Sequence, residues 1–194
     1  MTSLVLVISG ASGAAYGVRL LEVLCDLGAE VRLVVTDSGR LTLQHECATT
    51  PENLVERFGV ILEANDDVAA KSASGSARID HVIICPASGT TIGKIASGIG
   101  DNLATRSAIV ALKERRNLIL VPRETPLATI QLEQMTRLST YGAVILPAAP
   151  GFYNHPKSIE DLIDFIVARI LDQIGIDHAI GRRWTGEEIG DRDE

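Results

Sequence analysis

The sequence is poor in features that mark several large classes of protein. Aromatic residues make up only 4% of the 194 residues, so the core must be built from aliphatic and small side chains. No apolar run approaches the roughly 18 residues that cross a bilayer, and we expect no membrane contact. The net charge of -7 lacks the basic excess typical of nucleic-acid binders. The four histidines show no ligand spacing, so we expect no metal site.

Cysteine is also scarce. Cys25, Cys47 and Cys85 are three in number, and no pair has the C-x-x-C spacing of a metal or redox site. This usage fits a reducing compartment, where thiols act as small hydrophobic side chains. The sequence begins with a strand pattern and no basic leader segment, so we expect a cytoplasmic protein without a signal peptide.

Short apolar runs alternate with helical patterns along most of the chain. The runs predict strands at residues 4–9, 31–36, 80–85, 117–121 and 143–146. Helices are predicted at residues 14–27, 101–116, 128–141 and 158–174, with a loop at 65–78 and helix starts at Thr50 and Ser88. The alternation indicates an α/β fold: a three-layer, doubly wound parallel sheet, flavodoxin-like or Rossmann-like, in one domain. We place the domain at residues 1–184 and a polar C-terminal tail at 185–194.

Small and hydroxyl-bearing residues collect where the predicted strands end. Gly10, Ser12 and Gly13 follow the first strand, Thr36 follows the second, and Ser88 follows the third. Ligands of open α/β sheets bind at this carboxyl edge. Because helix starts attract anions, the loops suit a phosphate and a flat, polar-edged ring. Tight turns and helix caps without a ligand are the simpler alternative for each loop taken alone.

A nicotinamide dinucleotide is a competing ligand for the first loop. The glycine spacing is G-x-x-G-x-x-x-G through Gly17, whereas a dinucleotide fingerprint reads G-x-G-x-x-G. Asp37 follows the second strand roughly where a ribose-binding acid would lie. The missing glycine spacing makes this the weaker hypothesis.

Arg123 and Glu124 lie between Pro122 and Pro126, after the fourth predicted strand. The two prolines stiffen the segment and would fix both charged side chains. A surface ion pair is the simpler explanation, although such a pair stabilises a protein little. An anion better explains a rigid arginine at a strand end, and a glutamate in a partly dry pocket could transfer protons.

Seven segments in order resemble the UbiX-type flavin prenyltransferases, and the resemblance runs from residue 4 to about residue 184. They are Gly10-Ala-Ser-Gly-Ala-x-Tyr-Gly17, Ser74-Gly-Ser76, Ile84-Cys-Pro-Ala-Ser88, Asp101-Asn-Leu103, Ala111-Leu-Lys-Glu-Arg-Arg116, Leu120-Val-Pro-Arg-Glu-Thr-Pro126 and Pro147-Ala-Ala-Pro-Gly-Phe-Tyr153. Each segment alone is weak evidence, whereas all of them in order are strong evidence. The resemblance implies a flavodoxin-like fold and a homododecamer with active sites at subunit junctions.

The resemblance also implies a reaction. Members of that family are transferases that join dimethylallyl phosphate to reduced FMN at flavin N5 and C6, release phosphate and need no metal. Their product, prenylated FMN, serves UbiD-type decarboxylases in ubiquinone synthesis or in the breakdown of aromatic acids. We therefore expect a prenyltransferase that acts in the maturation of a decarboxylase cofactor.

Site residues follow from the resemblance position by position. The implied FMN contacts are Gly10, Ala11, Ser12, Thr36, Ser88, Gly89, Thr90, Thr91 and Arg123. The implied prenyl-phosphate contacts, drawn from more than one subunit, are Ser74, Gly75, Arg106, Lys113, Tyr153 and Arg169. The implied catalytic residues are Glu124 as the proton-transferring acid, Ser12 near flavin N5, and Glu46 as a second acid of the pocket. Arg106 and Lys113 are seven residues apart, so both can share one helix face.

Two positions depart from the family pattern. Val68 stands where the family often has an aromatic residue against the prenyl group, and valine has no π face to stabilise an allylic cation. The length of the prenyl donor or the rate of the reaction therefore stays open. The choice between monophosphate and diphosphate is also open, for want of any signal in the sequence. Asp37 replaces a commonly neutral or basic residue beside the FMN.

Two other functions are alternatives. Pro86-Ala-Ser88 is similar to a short motif of flavin-dependent cysteine decarboxylases, with His45 as a loose candidate for their base. Gly89-Thr90-Thr91, however, lacks the asparagine that those enzymes place soon after the serine. The second alternative is a non-catalytic flavin carrier, which would need no second set of phosphate-binding side chains.

Overall fold

Six parallel strands form the centre of the computed structural model, which describes residues 2–181 and residue 183. The strands are β1 (Ser3–Ile8), β2 (Glu30–Val35), β3 (Ile61–Glu63), β4 (His81–Ala87), β5 (Asn117–Pro122) and β6 (Val144–Ile145). The helices are α1 (Ala14–Asp26), α2 (Asp37–Cys47), α3 (Pro51–Phe58), α4 (Gly89–Ala96), α5 (Leu103–Lys113), α6 (Thr129–Thr140) and α7 (Ile159–Ile174). Two short 3₁₀ helices, Lys71–Ala73 and Gly75–Ala77, precede β4.

The sheet has the order β3-β2-β1-β4-β5-β6 and buries both of its faces. Along β1, Leu6 and Ile8 pack in the core cluster that includes α1 and α7. Val5 and Val7 point the other way, into the cluster formed with α4, α5 and α6. This alternation explains why β1 is apolar at every position from Leu4 to Ile8, as a strand covered on both faces requires.

The predicted alternation of strands and helices is confirmed, but the helix α2 and the strand β3 were not predicted. β3 has only three residues and lies at the sheet edge. Its apolar run is too short to be recognised as a strand in the sequence. The predicted cap at Thr50 is confirmed, since its hydroxyl accepts a hydrogen bond from the amide of Asn53 at 3.2 Å. None of the described helices is long and apolar enough to span a bilayer.

The helix predicted at residues 101–116 is shorter at both ends: α5 begins after a cap at Asn102 instead of Asp101, and it ends at Lys113. The side chain of Asn102 accepts from the amide of Thr105 at 3.0 Å and starts α5. Asp101 instead pairs with Lys94, with 2.7 Å between the carboxylate and the ammonium. Residue 182 and residues 184–194 lie outside the described part of the chain. The predicted tail at 185–194 and the domain boundary at 184 therefore stay predictions.

Candidate functional site

The carboxyl ends of β1 and β4 are neighbours at the point where the strand order reverses. Ser9 is fully buried there and connects the two loops. Its hydroxyl donates to the carbonyl of Pro86 at 2.7 Å and accepts from the amide of Ser88 at 2.8 Å. The loops after β1 and β4 therefore have a fixed relative position at the place where open α/β sheets bind ligands.

A cavity of about 390 Å³ opens at this switch point, and we call it the edge cavity. The starts of α2, α4 and α5 meet there. The side chain of the residue before each helix caps it: Thr36 for α2, Ser88 for α4 and Asn102 for α5. The cavity is lined by Gly10, Thr36, Asp37, Ser38, Asn65, Ser88, Thr90, Thr91, Lys94, Asn102, Ala104 and Thr105. The three positive helix ends favour an anion such as a phosphate, whereas Asp37 in the lining opposes it and Lys94 is already paired with Asp101.

Gly10 lines the edge cavity and packs closely on α2, whereas Gly89, which does not line the cavity, packs closely on α6. A Cβ added to Gly10 would collide with the side chain of Ser38 and lie 3.3 Å from its carbonyl carbon. A Cβ added to Gly89 would meet the side-chain amide of Gln131. The loops around the cavity are thus built from backbone and small hydroxyl side chains, which fits the phosphate and hydroxyl groups of FMN. Ala11, in contrast, is buried.

The start of α1 already holds an anion, and that anion belongs to the chain itself. The carboxylate of Glu46 accepts hydrogen bonds from the amides of Gly13 and Ala14, both at 2.8 Å. Burial acts to raise the pKa of Glu46, but these amides, the Ser12 side chain and the charge of Arg123 together lower it. The Gly13 and Ala14 amides are therefore occupied by a carboxylate of the chain itself in this structure.

Arg123 turns toward the first loop and does not form the surface ion pair with Glu124. Its Nε donates to the carbonyl of Ser12 at 2.9 Å. Glu124 is exposed beside the cis peptide bond between Thr125 and Pro126, and its carboxylate accepts from the Thr125 amide at 3.3 Å. Ser12, Glu46 and Arg123 thus form one polar cluster at the carboxyl edge. Glu124 is the next residue along the chain after Arg123.

Four of the predicted prenyl-phosphate residues line a second cavity of about 600 Å³, the helix cavity. Arg106 and Lys113 share one face of α5, as their spacing predicts, and Ser74 and Gly75 lie opposite them. Val68 lines the same cavity, together with small and aliphatic side chains. Cationic groups and an apolar wall in one cavity suit an alkyl phosphate.

Tyr153 and Arg169 line a third cavity of about 540 Å³, the tail cavity, between the loop after β6, α7 and the segment that follows it. The rings of Tyr153 and Phe165 meet edge to face, with 5.8 Å between their centroids. Arg169 is paired with Asp172 at 2.8 Å. No residue lines two of these three cavities, so one described chain does not unite the predicted site residues.

Several side chains at or near these cavities were not predicted from the sequence. Ser9 looked like the last residue of a strand, and nothing in the sequence reveals its bonds to the neighbouring loop. Lys94 differs from other helix residues only by its position beside the edge cavity, and Asn102 appeared only within the segment Asp101-Asn-Leu103, without a role. Asp172 and His178 are far from any recognisable motif and come together only because the chain folds back after α7.

Comparison with known proteins identifies the family. The family model Flavoprotein matches residues 1–171. A curated relative, Flavin prenyltransferase UbiX of Methanothermobacter thermautotrophicus, is 44% identical over 96% of this chain and 97% of its own length. A UbiX-like decarboxylase of Escherichia coli O157:H7, described as dodecameric and FMN-dependent, has a TM-score of 0.91 at 40% identity, with 94% of this chain and 99% of that chain covered.

A solved structure of AnUbiX (PadA1) in complex with FMN and dimethylallyl pyrophosphate is similar over 96% of this chain and 99% of its own, with a TM-score of 0.93 at 41% identity. The FMN-dependent cysteine decarboxylase TvaF, with a TM-score of 0.64 at 19% identity, shares the fold alone. The flavin prenyltransferases and the cysteine decarboxylases thus share one architecture. Only the former match this chain over nearly its full length at more than 40% identity. The chain belongs to the flavoprotein family and, within it, to the UbiX flavin prenyltransferases.

Proposed function

We propose that this protein is a flavin prenyltransferase that joins dimethylallyl phosphate to reduced FMN and releases phosphate and prenylated FMN. The observation that carries the proposal is the full-length similarity to curated flavin prenyltransferases. A second support is the cavity at the switch point of the sheet, whose lining suits an anion. The same fold holds FMN and dimethylallyl pyrophosphate in AnUbiX.

The edge cavity would hold the FMN phosphate, with hydroxyl groups of Thr36, Ser88, Thr90 and Thr91 around it. Gly10 would let the flavin chain pass close to the backbone, since any side chain there would collide with Ser38. Reduced FMN supplies the two nucleophilic ring positions, N5 and C6. Arg123 and Ser12, linked by a hydrogen bond at the same edge, would lie against the ring and fix its orientation.

The cationic side chains of the other two cavities would bind the prenyl phosphate. Phosphate leaves an allylic carbon easily only when its growing charge is neutralised. Arg106, Lys113 and Arg169 can donate charge-assisted hydrogen bonds to it, and Ser74 can add a hydroxyl. Tyr153 can donate a further bond while its ring covers the apolar group.

Glu124 would supply the proton that the prenyl double bond takes up when C6 bonds to it, and would regain the proton that C6 then releases, a role that the departing phosphate could share. Its exposed position in one chain would be covered by a neighbouring subunit. Glu46 has a different task, because the lowered pKa keeps it ionised and its bonds hold the first loop in place. We therefore assign Glu46 to the support of Ser12 and Gly13.

We also propose that several copies of the chain build each site, in a dodecamer like the UbiX-like protein of Escherichia coli O157:H7. Within one chain, Ser74 and Gly75 lie near the amino edge of the sheet, next to the turn that leads from α5 into β5. Large apolar side chains on the surface support such contacts: Leu41, Ile130, Phe152 and Ile159 are each more than 60% exposed.

The client of the product would be a UbiD-type decarboxylase, and the location would be the cytoplasm. Support for the location comes from cysteine usage: Cys25, Cys47 and Cys85 are all unpaired. Unpaired thiols are usual where the surroundings are reducing. Support for the client is the family membership alone.

The decisive experiment combines protein, reduced FMN and dimethylallyl phosphate without oxygen and measures the mass of the extracted flavin. Glu124→Gln should keep FMN binding and lower product formation by about 100-fold or more, the usual loss when a general base is removed. Bound but unmodified flavin in the wild-type protein would contradict the proposal and favour a flavin carrier. Carbon dioxide release from a peptidyl cysteine would favour a cysteine decarboxylase.

A further inference from the structure

Asp172 shares its two carboxylate oxygens among three side chains in the tail cavity. Oδ2 accepts from Nη1 of Arg169 at 2.8 Å, and Oδ1 accepts from Nη2 of Arg183 at 2.8 Å. Oδ1 also lies 3.2 Å from Nε2 of His178. The carboxylate therefore connects Arg169 on α7 to two side chains of the segment that follows the helix.

That segment, described at residues 176–181 and at Arg183, folds back along α7. Gly175 ends the helix with a φ of 69°, a left-handed conformation that suits glycine. The His178 side chain is only 1% exposed, and its Nδ1 accepts a hydrogen bond from the amide of Ile180 at 3.2 Å. In a neutral imidazole this leaves Nε2 as the donor to Asp172. The ring is thus fixed on one side by its own segment and on the other by α7.

The two other acids of the tail cavity have separate partners. Asp161 accepts backbone hydrogen bonds at the start of α7, and Asp164 pairs with Arg19 at 2.7 Å. Burial acts to raise the pKa of Asp172, but bonds and charge from the neighbouring arginine and histidine side chains lower it. Asp172 is therefore ionised at neutral pH and is the acid that orients Arg169.

We infer that Asp172 is a positioning residue for the prenyl phosphate, and that through it His178 and Arg183 become part of the substrate site. The inference rests on the proposed function, in which Arg169 receives the phosphate. A guanidinium held in one geometry loses less conformational freedom when it binds an anion. Arg169 is held in this way from one side by Asp172, which is itself held by His178 and Arg183.

Loss of the Asp172 charge has two opposite effects on a bound anion. The missing negative charge would by itself strengthen anion binding, because like charges repel across the cavity. The missing anchor would release Arg169 and weaken binding. An Asp172→Asn variant that binds the phosphate more weakly therefore reports on the position of Arg169 and not on the charge of the cavity.

The test measures binding of dimethylallyl phosphate to the FMN-loaded protein by calorimetry, with steady-state turnover in parallel. In Asp172→Asn we expect Kd and KM to rise about tenfold, the factor given by one charge-assisted hydrogen bond, with a much smaller change in kcat. Arg169→Ala should weaken binding at least as much. Glu52→Gln removes an exposed carboxylate that pairs with Arg40 at 2.7 Å, and it should bind as the wild type does.

Hydrogen exchange gives a second readout on the same variants. Amides of residues 176–181 should exchange faster in Asp172→Asn, while those of β1 and β4 keep their protection and show that the fold is intact. Equal or tighter binding in Asp172→Asn overturns the inference, as does equal binding in Arg169→Ala. A wild-type protein that binds both ligands and forms no prenylated flavin overturns the proposed function instead.

Discussion

Glu46 shows how one side chain changes the meaning of a glycine-rich loop. The loop after β1 has the amides and the helix end that attract an anion, and sequence reasoning assigned them to a ligand. In the structure the anion is Glu46 from the end of α2, 33 positions further along the chain. Local sequence reveals that a helix start can bind a carboxylate, but it does not reveal which carboxylate arrives.

Glu46→Gln should lower the free energy of unfolding by up to about 1 kcal/mol at pH 7. A glutamine can still accept a hydrogen bond, but it lacks the charge that interacts with the helix end, and exposure to water limits the effect. The pKa of Glu46 is lower in the folded protein than its ordinary value of 4.5. The contribution is therefore complete above pH 4.5 and is lost as the pH falls through the folded pKa.

Urea unfolding of both proteins between pH 7 and pH 3 measures this difference. The gap between wild type and Glu46→Gln should close as the solution becomes acidic. Glu56→Gln changes an exposed glutamate of α3 and serves as the matched control, with an expected change within about 0.5 kcal/mol. A gap that stays constant with pH would show that Glu46 acts through packing alone.

At the scale of elements, close packing of α1 on the sheet depends on Gly17. In the sequence, Gly17 belongs to a glycine spacing that fails to match a dinucleotide site and ends the first segment that resembles the family. In the structure, a Cβ at this position would collide with the carbonyl oxygen of Cys85 and lie 3.0 Å from a side-chain carbon of Ile8. The glycine therefore lets α1 lie directly on β4.

Gly17→Ala should destabilise the fold by about 2 kcal/mol, because a rigid backbone atom must move to admit the methyl group. The gain in helix propensity, about 1 kcal/mol, offsets only part of this strain. Gly89→Ala is the matched control, since the added Cβ meets only the flexible end of Gln131. Thermal unfolding of the two variants compares them, and equal losses would contradict the packing argument.

The start of α7 was predicted correctly because its signal is local. The hydroxyl of Ser158 accepts from the amide of Asp161 at 3.2 Å, and the carboxylate of Asp161 accepts from the amide of Ser158 at 3.1 Å. Asn102 carries the same kind of signal at α5, but Asp101 beside it is an equally good cap in sequence. Asn102 is the cap in the structure because Asp101 pairs with Lys94 instead. Caps are thus predictable from sequence unless a tertiary contact competes.

Ser158→Ala should lower the free energy of unfolding by about 1 kcal/mol, the usual loss for an N-cap. Ser158→Thr keeps a hydroxyl acceptor and should recover most of it. Denaturant midpoints at constant slope give the comparison. A Thr variant as unstable as the Ala variant would show that the side-chain hydrogen bond is not the source of the stability.

At the scale of the whole molecule, sequence patterns predict the sheet and the edge at which ligands collect, because both follow from parallel strand topology. They do not predict which side chains meet across copies of the chain. Lys113 ends α5 before the start of β5, and Glu124 follows the end of β5. Six residues of strand separate those two ends by about 20 Å. One chain therefore presents these two residues at opposite edges of its sheet.

This separation predicts complementation between two inactive variants. Lys113→Ala and Glu124→Gln should each abolish most turnover alone. If every site takes the two residues from different copies, mixed oligomers made by co-expression should regain about a quarter of the wild-type sites under random assembly. Mass analysis of the prenylated flavin measures the recovery.

The matched control mixes Lys113→Ala with Arg106→Ala, two changes in the helix cavity of one chain. Arg106 and Lys113 reach any given site from the same copy. Every site in the mixture therefore lacks one of the two side chains, and activity should stay low. Recovery in this control would mean that the helix cavity is divided between copies. No recovery in the Lys113 and Glu124 mixture would mean that a single chain brings both edges to one flavin, which the strand length does not allow.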